Sequence, residues 1–426
     1  MNSFPKNFLI GAATAAHQVE GNNKNSDFWA MEHMQTTTYE EPSLDAVDHY
    51  KCYKEDIELM ARAGLNAYRF SIEWARVEPE KGAYNKEEIE HYRKVLECCH
   101  ENKVTPIVTM HHFSSPRWLI TQGGWENESV IEDFAKYCTY VVQQLGNLME
   151  YVCTINEANM GIQLAALIRD IMKQMNADIQ VGINFEMPQD ELRKKQAQEN
   201  LEVFGTERPQ TFLSMRSEEG DRIIMRAHEA ARDSMKKVGQ HLKIGVTLSL
   251  HDFQAKDGGE EKAQKEWDEE FAHYLPYIKK DDFFGLQNYT RKIVTVEGAL
   301  PVPEGAKRTQ MDYENYPKAL GNVIRKVASE LAIPIMITEN GIATSDDDER
   351  ITFIQEALEG VHKCMDEGIE VIGYLHWSLL DNFEWQKGYS KTFGLIAVDR
   401  KTQKREPKNS LSILGEYNGF NSLKEN

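Results

Sequence analysis

Glu157 ends the stretch Thr154-Ile155-Asn156-Glu157, and Glu339 sits within Ile337-Thr338-Glu339-Asn340-Gly341, each just past a short apolar run. Two carboxyl groups in different environments can share the work of cleaving a glycosidic bond. One protonates the leaving oxygen while the other attacks or stabilises the anomeric carbon. The chain holds 68 aspartates and glutamates, most of which must be solvated surface charge, so an acidic side chain alone carries no signal. What singles these two out is their position after a run that reads as a strand.

Eight such apolar or β-branched runs alternate with helical patterns. They lie near Phe8 to Ala13, Ala67 to Ile72, Thr105 to Met110, Tyr151 to Ile155, Ile244 to Leu250, Phe283 to Gln287, Ile335 to Thr338 and Val371 to His376. This is the rhythm of an α/β fold, a (β/α)8 TIM barrel. In that architecture the site is built on the loops that follow the strands, so residues far apart in sequence converge. Both glutamates fall on such loops, as do Gln18, His112, Tyr289 and Trp377. The stretch from about Ala158 to Gln240, with Gln189-Asp190-Glu191-Leu192-Arg193-Lys194-Lys195 in its middle, is polar and charge-rich. It reads as a long loop with helices between the fourth and fifth strands. It lacks the Pro/Gly/Ser bias of a hinged linker, so a single domain over residues 1–426 is expected.

Longer blocks carry a family resemblance. Phe8-Leu9-Ile10-Gly11-Ala12-Ala13-Thr14-Ala15-Ala16-His17-Gln18-Val19-Glu20-Gly21, Tyr68-Arg69-Phe70-Ser71-Ile72-Glu73-Trp74, Asn156-Glu157, Thr338-Glu339-Asn340-Gly341 and Trp377-Ser378-Leu379-Leu380-Asp381-Asn382-Phe383-Glu384-Trp385 resemble the family 1 glycoside hydrolases, the β-glucosidase family. The resemblance implies Glu157 as general acid/base and Glu339 as nucleophile of a retaining β-glycosidase. It also implies Asn156 as a hydrogen-bond partner of the sugar 2-hydroxyl. Arg69 would supply charge to the nucleophile. Gln18, His112, Glu384 and Trp385 resemble the clamp for the terminal sugar, with Trp377 stacking on its face; sugar hydroxyls need polar side chains of this kind and a pyranose face suits an indole. Around strand six the family shows Asn-Tyr-Tyr, whose second tyrosine donates to the nucleophile. Here Gly285-Leu286-Gln287-Asn288-Tyr289-Thr290 places Tyr289 on that tyrosine, Gln287 on the asparagine and Asn288 on the first tyrosine.

Other departures concern the leaving-group half of the site. Ala158 follows Asn-Glu where the family has proline, and Tyr313 stands where the family often has tryptophan. Leaving-group preference is therefore not carried over. The implied activity is release of a terminal β-D-glucosyl residue, with galactosyl or fucosyl residues also accepted. A transglycosylase using the same residues, or a catalytically silent sugar-binding barrel, remain alternatives. Within the family a phosphosugar branch cleaves 6-phospho-β-glycosides. Glu384 is an acceptor-only group suited to hydroxyls, and Lys387 and Lys391 after it read as solvated surface charge.

The bulk properties limit the partners. A formal net charge of −19 and a pI near 5.2 argue against a polyanion such as nucleic acid. A neutral sugar is indifferent to that field. Cys52, Cys98, Cys99, Cys138, Cys153 and Cys364 form no Cys-x-x-Cys pair and no regular framework, which suggests neither disulfides nor zinc and fits reduced thiols in a cytoplasmic protein. No metal or organic cofactor is expected. The alanine-ended start has too short an apolar core and only Lys6 as its basic region, so it reads as a strand, and no run approaches a membrane span. His111 and His112 are adjacent, and strand neighbours face opposite ways. They cannot share a metal, and His111 is expected in the core. His228, on a helical pattern, is expected to be structural.

Overall fold

The structure, a computed structural model, describes residues 4–172 and 190–418. The strands are β1 (Leu9–Ala13), β2 (Ala67–Ser71), β3 (Thr105–His111), β4 (Tyr151–Ile155), β5 (Lys243–Gly245), β6 (Thr247–Ser249), β7 (Asp252–Ala255), β8 (Phe284–Gln287), β9 (Arg291–Thr295), β10 (Gly298–Ala299), β11 (Ile335–Asn340), β12 (Val371–Trp377), β13 (Ile396–Val398) and β14 (Arg405–Pro407). Nine of them form one sheet in the order β5-β4-β3-β2-β1-β12-β11-β8-β6, and all its pairings are parallel.

The sheet closes into a barrel because β5 and β6 are the two halves of the expected fifth strand. β5 pairs with β4 and β6 with β8. Between them the Val246 amide donates to Asp281 Oδ2 at 3.1 Å, and its carbonyl accepts from the Gly285 amide at 3.0 Å. The kink thus hands the strand from one neighbour to the other without leaving a polar backbone group unpaired. All eight expected runs are strands, to within a residue or two at their ends.

Parallel strands covered on both faces must be apolar on both, which is why these runs read as near-continuous hydrophobic segments. Leu9, Ala67, Ile107, Cys153, Phe283, Met336 and Leu375 form one buried cluster contributed by successive strands. Two residues further along β2 and β3, on the same side of each strand, come Arg69 and Thr109, and the arginine Nε donates to the threonine hydroxyl at 2.9 Å. The interior thus changes from apolar to polar towards the C-terminal ends of the strands.

The connection from β4 to β5 carries the helices Met160–Met172, Asp190–Phe204 and Glu218–Val238, in line with the expected long loop with helices; Gln189 lies outside the described residues. The last of these helices is capped by Ser217, whose side chain accepts from the Gly220 amide, and buries Ile223, Ile224, Ala227, Ala231 and Met235, a stripe at helical spacing. It packs against the helix Ser129–Leu145. His228 lies on it, with Nδ1 at 2.8 Å from the Thr154 hydroxyl and Nε2 at 3.1 Å from Asp281 Oδ1. It is a structural histidine tying helix to barrel, as expected. Among the described residues no helix is long and apolar enough to cross a membrane.

Candidate active site

The motif around Glu339 owes its shape to a register shift. Ile337 of β11 pairs with Leu286 of β8, and the next paired residue is Glu339, opposite Gln287. The irregularity turns Glu339 into the barrel mouth. Gly341 two residues on is required by close approach: a Cβ there would lie 2.0 Å from the Trp377 carbonyl oxygen.

Three side chains donate to the Glu339 carboxylate. Arg69 Nη1 meets Oε1 at 2.6 Å, Gln287 Nε2 meets the same oxygen at 3.0 Å, and the Tyr289 hydroxyl meets Oε2 at 2.6 Å. Arg69 is wholly buried and also donates from Nη2 to Asn156 Oδ1 at 2.5 Å, while Gln287 Nε2 lies 2.8 Å from that oxygen. Burial pushes the Glu339 carboxyl above its ordinary pKa, and Arg69, Tyr289 and Gln287 pull it back.

Glu157 has a different environment. It sits at φ 44° in the turn between β4 and the helix Met160–Met172, a left-handed backbone uncommon for a non-glycine residue. Its amide donates to the Thr247 hydroxyl at 2.9 Å, and the Ala158 amide donates to the Thr247 carbonyl at 3.0 Å. Burial, then the charge of Glu339, raise its carboxyl well above the usual range; Ser249 and Arg69 offset this in part, and Glu384 adds to it. The two carboxyl groups thus sense each other, and the donors that lower the Glu339 pKa outnumber those at Glu157.

The remaining expected residues line the same mouth. Gln18, on the short helix Ala16–Val19 after β1, donates from Nε2 to the Phe383 carbonyl at 2.7 Å, Asn382 Oδ1 at 3.3 Å and Glu384 Oε2 at 3.4 Å. His112 follows β3, with Nε2 at 3.2 Å from Asn156 Nδ2 and its ring centroid 5.6 Å from Trp377 and 6.1 Å from Trp385. Burial lowers the His112 pKa well below its ordinary value, with Arg69 and His111 adding to the effect. The ring is neutral at physiological pH. His111 points elsewhere, as expected: its Nε2 lies 3.0 Å from the Ser115 hydroxyl and its ring packs against Trp125 and Phe212. Among the described residues no group of three His, Cys, Asp or Glu side chains could hold a metal ion.

The family model of Glycosyl hydrolase family 1 matches residues 1–202 and 268–421. The chain belongs to this family. It is a glycoside hydrolase on a barrel fold. "Beta-glucosidase A" of Thermotoga maritima is 29% identical over 96% of this chain and 96% of its own length. A "6-phospho-beta-galactosidase" of Clostridium acetobutylicum is 28% identical over 96% of each chain. The crystal structure of "beta-glycosidase BGL167" superposes with a TM-score of 0.89 at 43% identity, covering 99% of this chain and 98% of that one.

Around strand six, Tyr289 lies in hydrogen-bond contact with Glu339, the contact expected of it. Gln287, although longer than the usual asparagine, bridges Glu339 and Asn156. Asn288 turns away from the site and donates to the carbonyls of Leu250 and Thr290 at 2.8 and 2.9 Å. Asn288 thus ties loops together. Tyr313 is buried beside Tyr289, with centroids 6.5 Å apart. Several contributors were not picked out from the sequence: Thr109, Thr247 and Ser249 are polar residues within strand runs, and that interruption was their only signal. The support under Trp385 carries no signal of its own in the sequence. Its indole stacks on His17 at 6.0 Å and 4°, and His17 Nε2 pairs with Glu32 Oε1 at 2.6 Å.

An open hollow of about 950 Å³ lies at the opposite end of the barrel, near Leu9 and Ile372. Its Lys243 and Glu150 pair with each other at 3.0 Å, and none of the active-site side chains described above lines it.

Proposed function

We propose that the chain is a retaining β-glucosidase, also accepting galactosides or fucosides, in which Glu157 is the general acid/base and Glu339 the nucleophile. The observation that carries this reading is the unequal hydrogen bonding of the two acids. Glu339 receives Arg69, Gln287 and Tyr289, donors that favour an ionised carboxylate ready to attack. Glu157 is buried without such a set and is pushed well above the usual carboxylate range, which suits a proton donor at neutral pH.

In the first step Glu157 protonates the glycosidic oxygen as Glu339 attacks the anomeric carbon, releasing the aglycone and forming a glycosyl ester. Esterified Glu339 carries no charge, so the largest electrostatic pressure on Glu157 is relieved and its pKa falls. It can then take a proton from the water that releases the sugar. Asn156, fixed by Arg69 and Gln287, would hold the 2-hydroxyl. Gln18 Oε1 and His112 Nδ1 are buried without a hydrogen-bond partner among the described residues, and sugar hydroxyls would satisfy them. Trp377, Glu384 and Trp385 complete the clamp.

The near-equal identities to a β-glucosidase and a 6-phospho-β-galactosidase do not choose between neutral and phosphorylated sugars. Glu384 supports the neutral-sugar reading: a carboxylate beside Gln18 suits hydroxyls and repels a phosphate dianion. Lys387, which could be read as a phosphate ligand, pairs instead with Glu40 at 3.4 Å. The working unit is one domain, supported by barrel strands that run from β1 to β12 and by a bond from the Phe4 amide to the Tyr417 carbonyl at 3.1 Å. No metal, cofactor or nucleic acid enters the scheme. Six free cysteines support a cytoplasmic setting.

The test is azide rescue. Glu339→Ala should abolish turnover and regain it as the α-glucosyl azide. Glu157→Ala should fail mainly on poor leaving groups and yield the β-azide. Near wild-type turnover of cellobiose by either variant would overturn the roles.

A further inference from the structure

Arg216 lies in residues 203–267, the stretch that the family match leaves out, yet it reaches the turn that carries Glu157. Its Nη1 donates to the Ala158 carbonyl at 2.9 Å and its Nη2 to the Phe212 carbonyl at 2.6 Å. Its own amide donates to the Gly161 carbonyl at 3.3 Å. The guanidinium carbon sits 4.7 Å from the centroid of the Phe212 ring, which itself packs on His111, Phe113 and Trp125. The side chain is buried, and among the described residues it has no carboxylate within ion-pair distance. Burying a cation against neutral carbonyls is costly unless the geometry it enforces is needed.

The fit on the other side is equally tight. A Cβ on Gly161 would lie 2.6 Å from Arg216 Cζ and 2.8 Å from both its Cβ and its Nε. Gly161 is the second residue of the helix Met160–Met172, where glycine weakens a helix relative to alanine. Its presence there leaves room for the guanidinium to lie flat against the helix start. The turn needs holding: Glu157 is in the left-handed region, and that conformation persists only when its surroundings over-determine it. Thr247 fixes the turn from the barrel side through the Glu157 and Ala158 amides. Arg216 fixes it from the other side through the Ala158 carbonyl.

We infer that Arg216 is a positioning residue for Glu157, clamping the turn so that the acid/base carboxyl meets the leaving oxygen in a fixed, buried geometry. This rests on the reading of Glu157 as acid/base. The clamp is a planar fork spanning two carbonyls, which arginine offers and lysine does not. Loosening it would let the carboxyl shift, and a misplacement of about 1 Å at a reacting group costs roughly 100-fold. That cost should fall on substrates that need protonation of the leaving group.

The test compares phenyl and 2,4-dinitrophenyl β-glucoside in Arg216→Met, Arg216→Lys, Gly161→Ala and Glu157→Ala, with thermal unfolding of each. Gly161→Ala displaces the guanidinium while keeping its charge and favouring the helix, so it carries the test if Arg216→Met does not fold. Arg216→Met and Gly161→Ala should lose roughly 100-fold in kcat/KM on the phenyl substrate and about threefold or less on the dinitrophenyl one, with Arg216→Lys in between. The groups facing Glu157 are Glu339, Arg69, Glu384, Tyr289 and Tyr313, and none is altered. In Gly161→Ala, which keeps the Arg216 charge, the basic limb of the pH profile should therefore move to lower pH, because a less buried Glu157 gives up its proton more easily; in Arg216→Met the loss of the cation works against that shift. Equal losses on both substrates, or no loss in the folded variants, would overturn the inference. If Glu157→Ala itself shows no leaving-group dependence, the acid/base reading fails instead.

Discussion

Tyr289→Phe isolates one of the three donors that lower the pKa of Glu339, the proposed nucleophile. The hydroxyl donates to Oε2 at 2.6 Å, while the ring packs edge-on against Tyr313 and Phe393 at 6.5 and 6.2 Å. Phenylalanine keeps the ring and removes only the O–H, so the fold should be little disturbed. A hydrogen bond to a charged group contributes about 1.5–3 kcal/mol; at about 1.4 kcal/mol per factor of ten, kcat/KM should fall roughly 10- to 150-fold. The sign of the pH effect follows from the same contact. Burial raises the Glu339 pKa and Tyr289 is among the groups that lower it, so its loss lets the pKa rise further. In a kcat/KM profile on p-nitrophenyl β-glucoside the acidic limb, which reports the free nucleophile, should move to higher pH while the basic limb stays close to its place. A loss under about threefold with an unmoved acidic limb would refute the claim that Tyr289 keeps Glu339 charged.

Asp27 offers a test of stability. It is buried, its Oδ2 has no hydrogen-bond partner among the described residues, and burial raises its pKa from 3.8 to about 7. A raised pKa means the folded state favours the protonated form: stability is full below about 3.8 and is lost as pH rises to about 7, at most on the order of 4 kcal/mol. The wild-type melting temperature should thus fall as pH rises from about 4 to 7, where Glu20, raised to about 7, adds to the fall, and Asp27→Asn should make that fall shallower; identical slopes would contradict it. For the sugar, p-nitrophenyl β-glucoside should be hydrolysed and its 6-phosphate hardly at all. A preference of more than about tenfold for the phosphorylated substrate, about 1.4 kcal/mol of transition-state binding, would overturn the role given to Glu384.

The barrel was legible because its parallel strands are buried on both faces and so stand out as apolar runs at regular spacing. The fifth run could be seen, but not its division at Val246, which depends on Asp281, thirty-five residues away. In the site, the residues legible from motif and strand-end position, Glu157, Glu339, Arg69 and Tyr289, are brought together by the barrel itself. Thr247 and Arg216 were not legible. Thr247 acts through hydrogen bonds to a turn on another strand, and Arg216 comes from a connection whose sequence looks like ordinary charged helix and loop. His17 was hidden for a similar reason: its partner Glu32 comes from a loop helix, and nothing in the order of residues forecasts that the pair lies under Trp385.

The contrast between the two acids has a structural cause that follows from the strand register. Glu339 arrives at the mouth from β11, between β8 with Gln287 and β12, and faces Arg69 across the barrel, so donors from separate strands converge on it. Glu157 arrives on a turn whose backbone is braced by Thr247 and Arg216, and its buried carboxyl has Ser249 as a hydrogen-bond partner and the charges of Glu339 and Glu384 against it, offset in part by Arg69. One environment lowers the cost of a charge and the other raises it, although both groups are buried in the same mouth. Bracing the backbone of Glu157 rather than its carboxyl lets the group hold its place in either protonation state, as an acid that must later serve as a base requires. A network of fixed donors on Glu157 would have secured its position but favoured the anion in both steps. Under the roles proposed for the two glutamates, this distribution of hydrogen bonds, to the carboxylate of one and to the peptide groups around the other, would let one stay charged and the other change its charge during turnover.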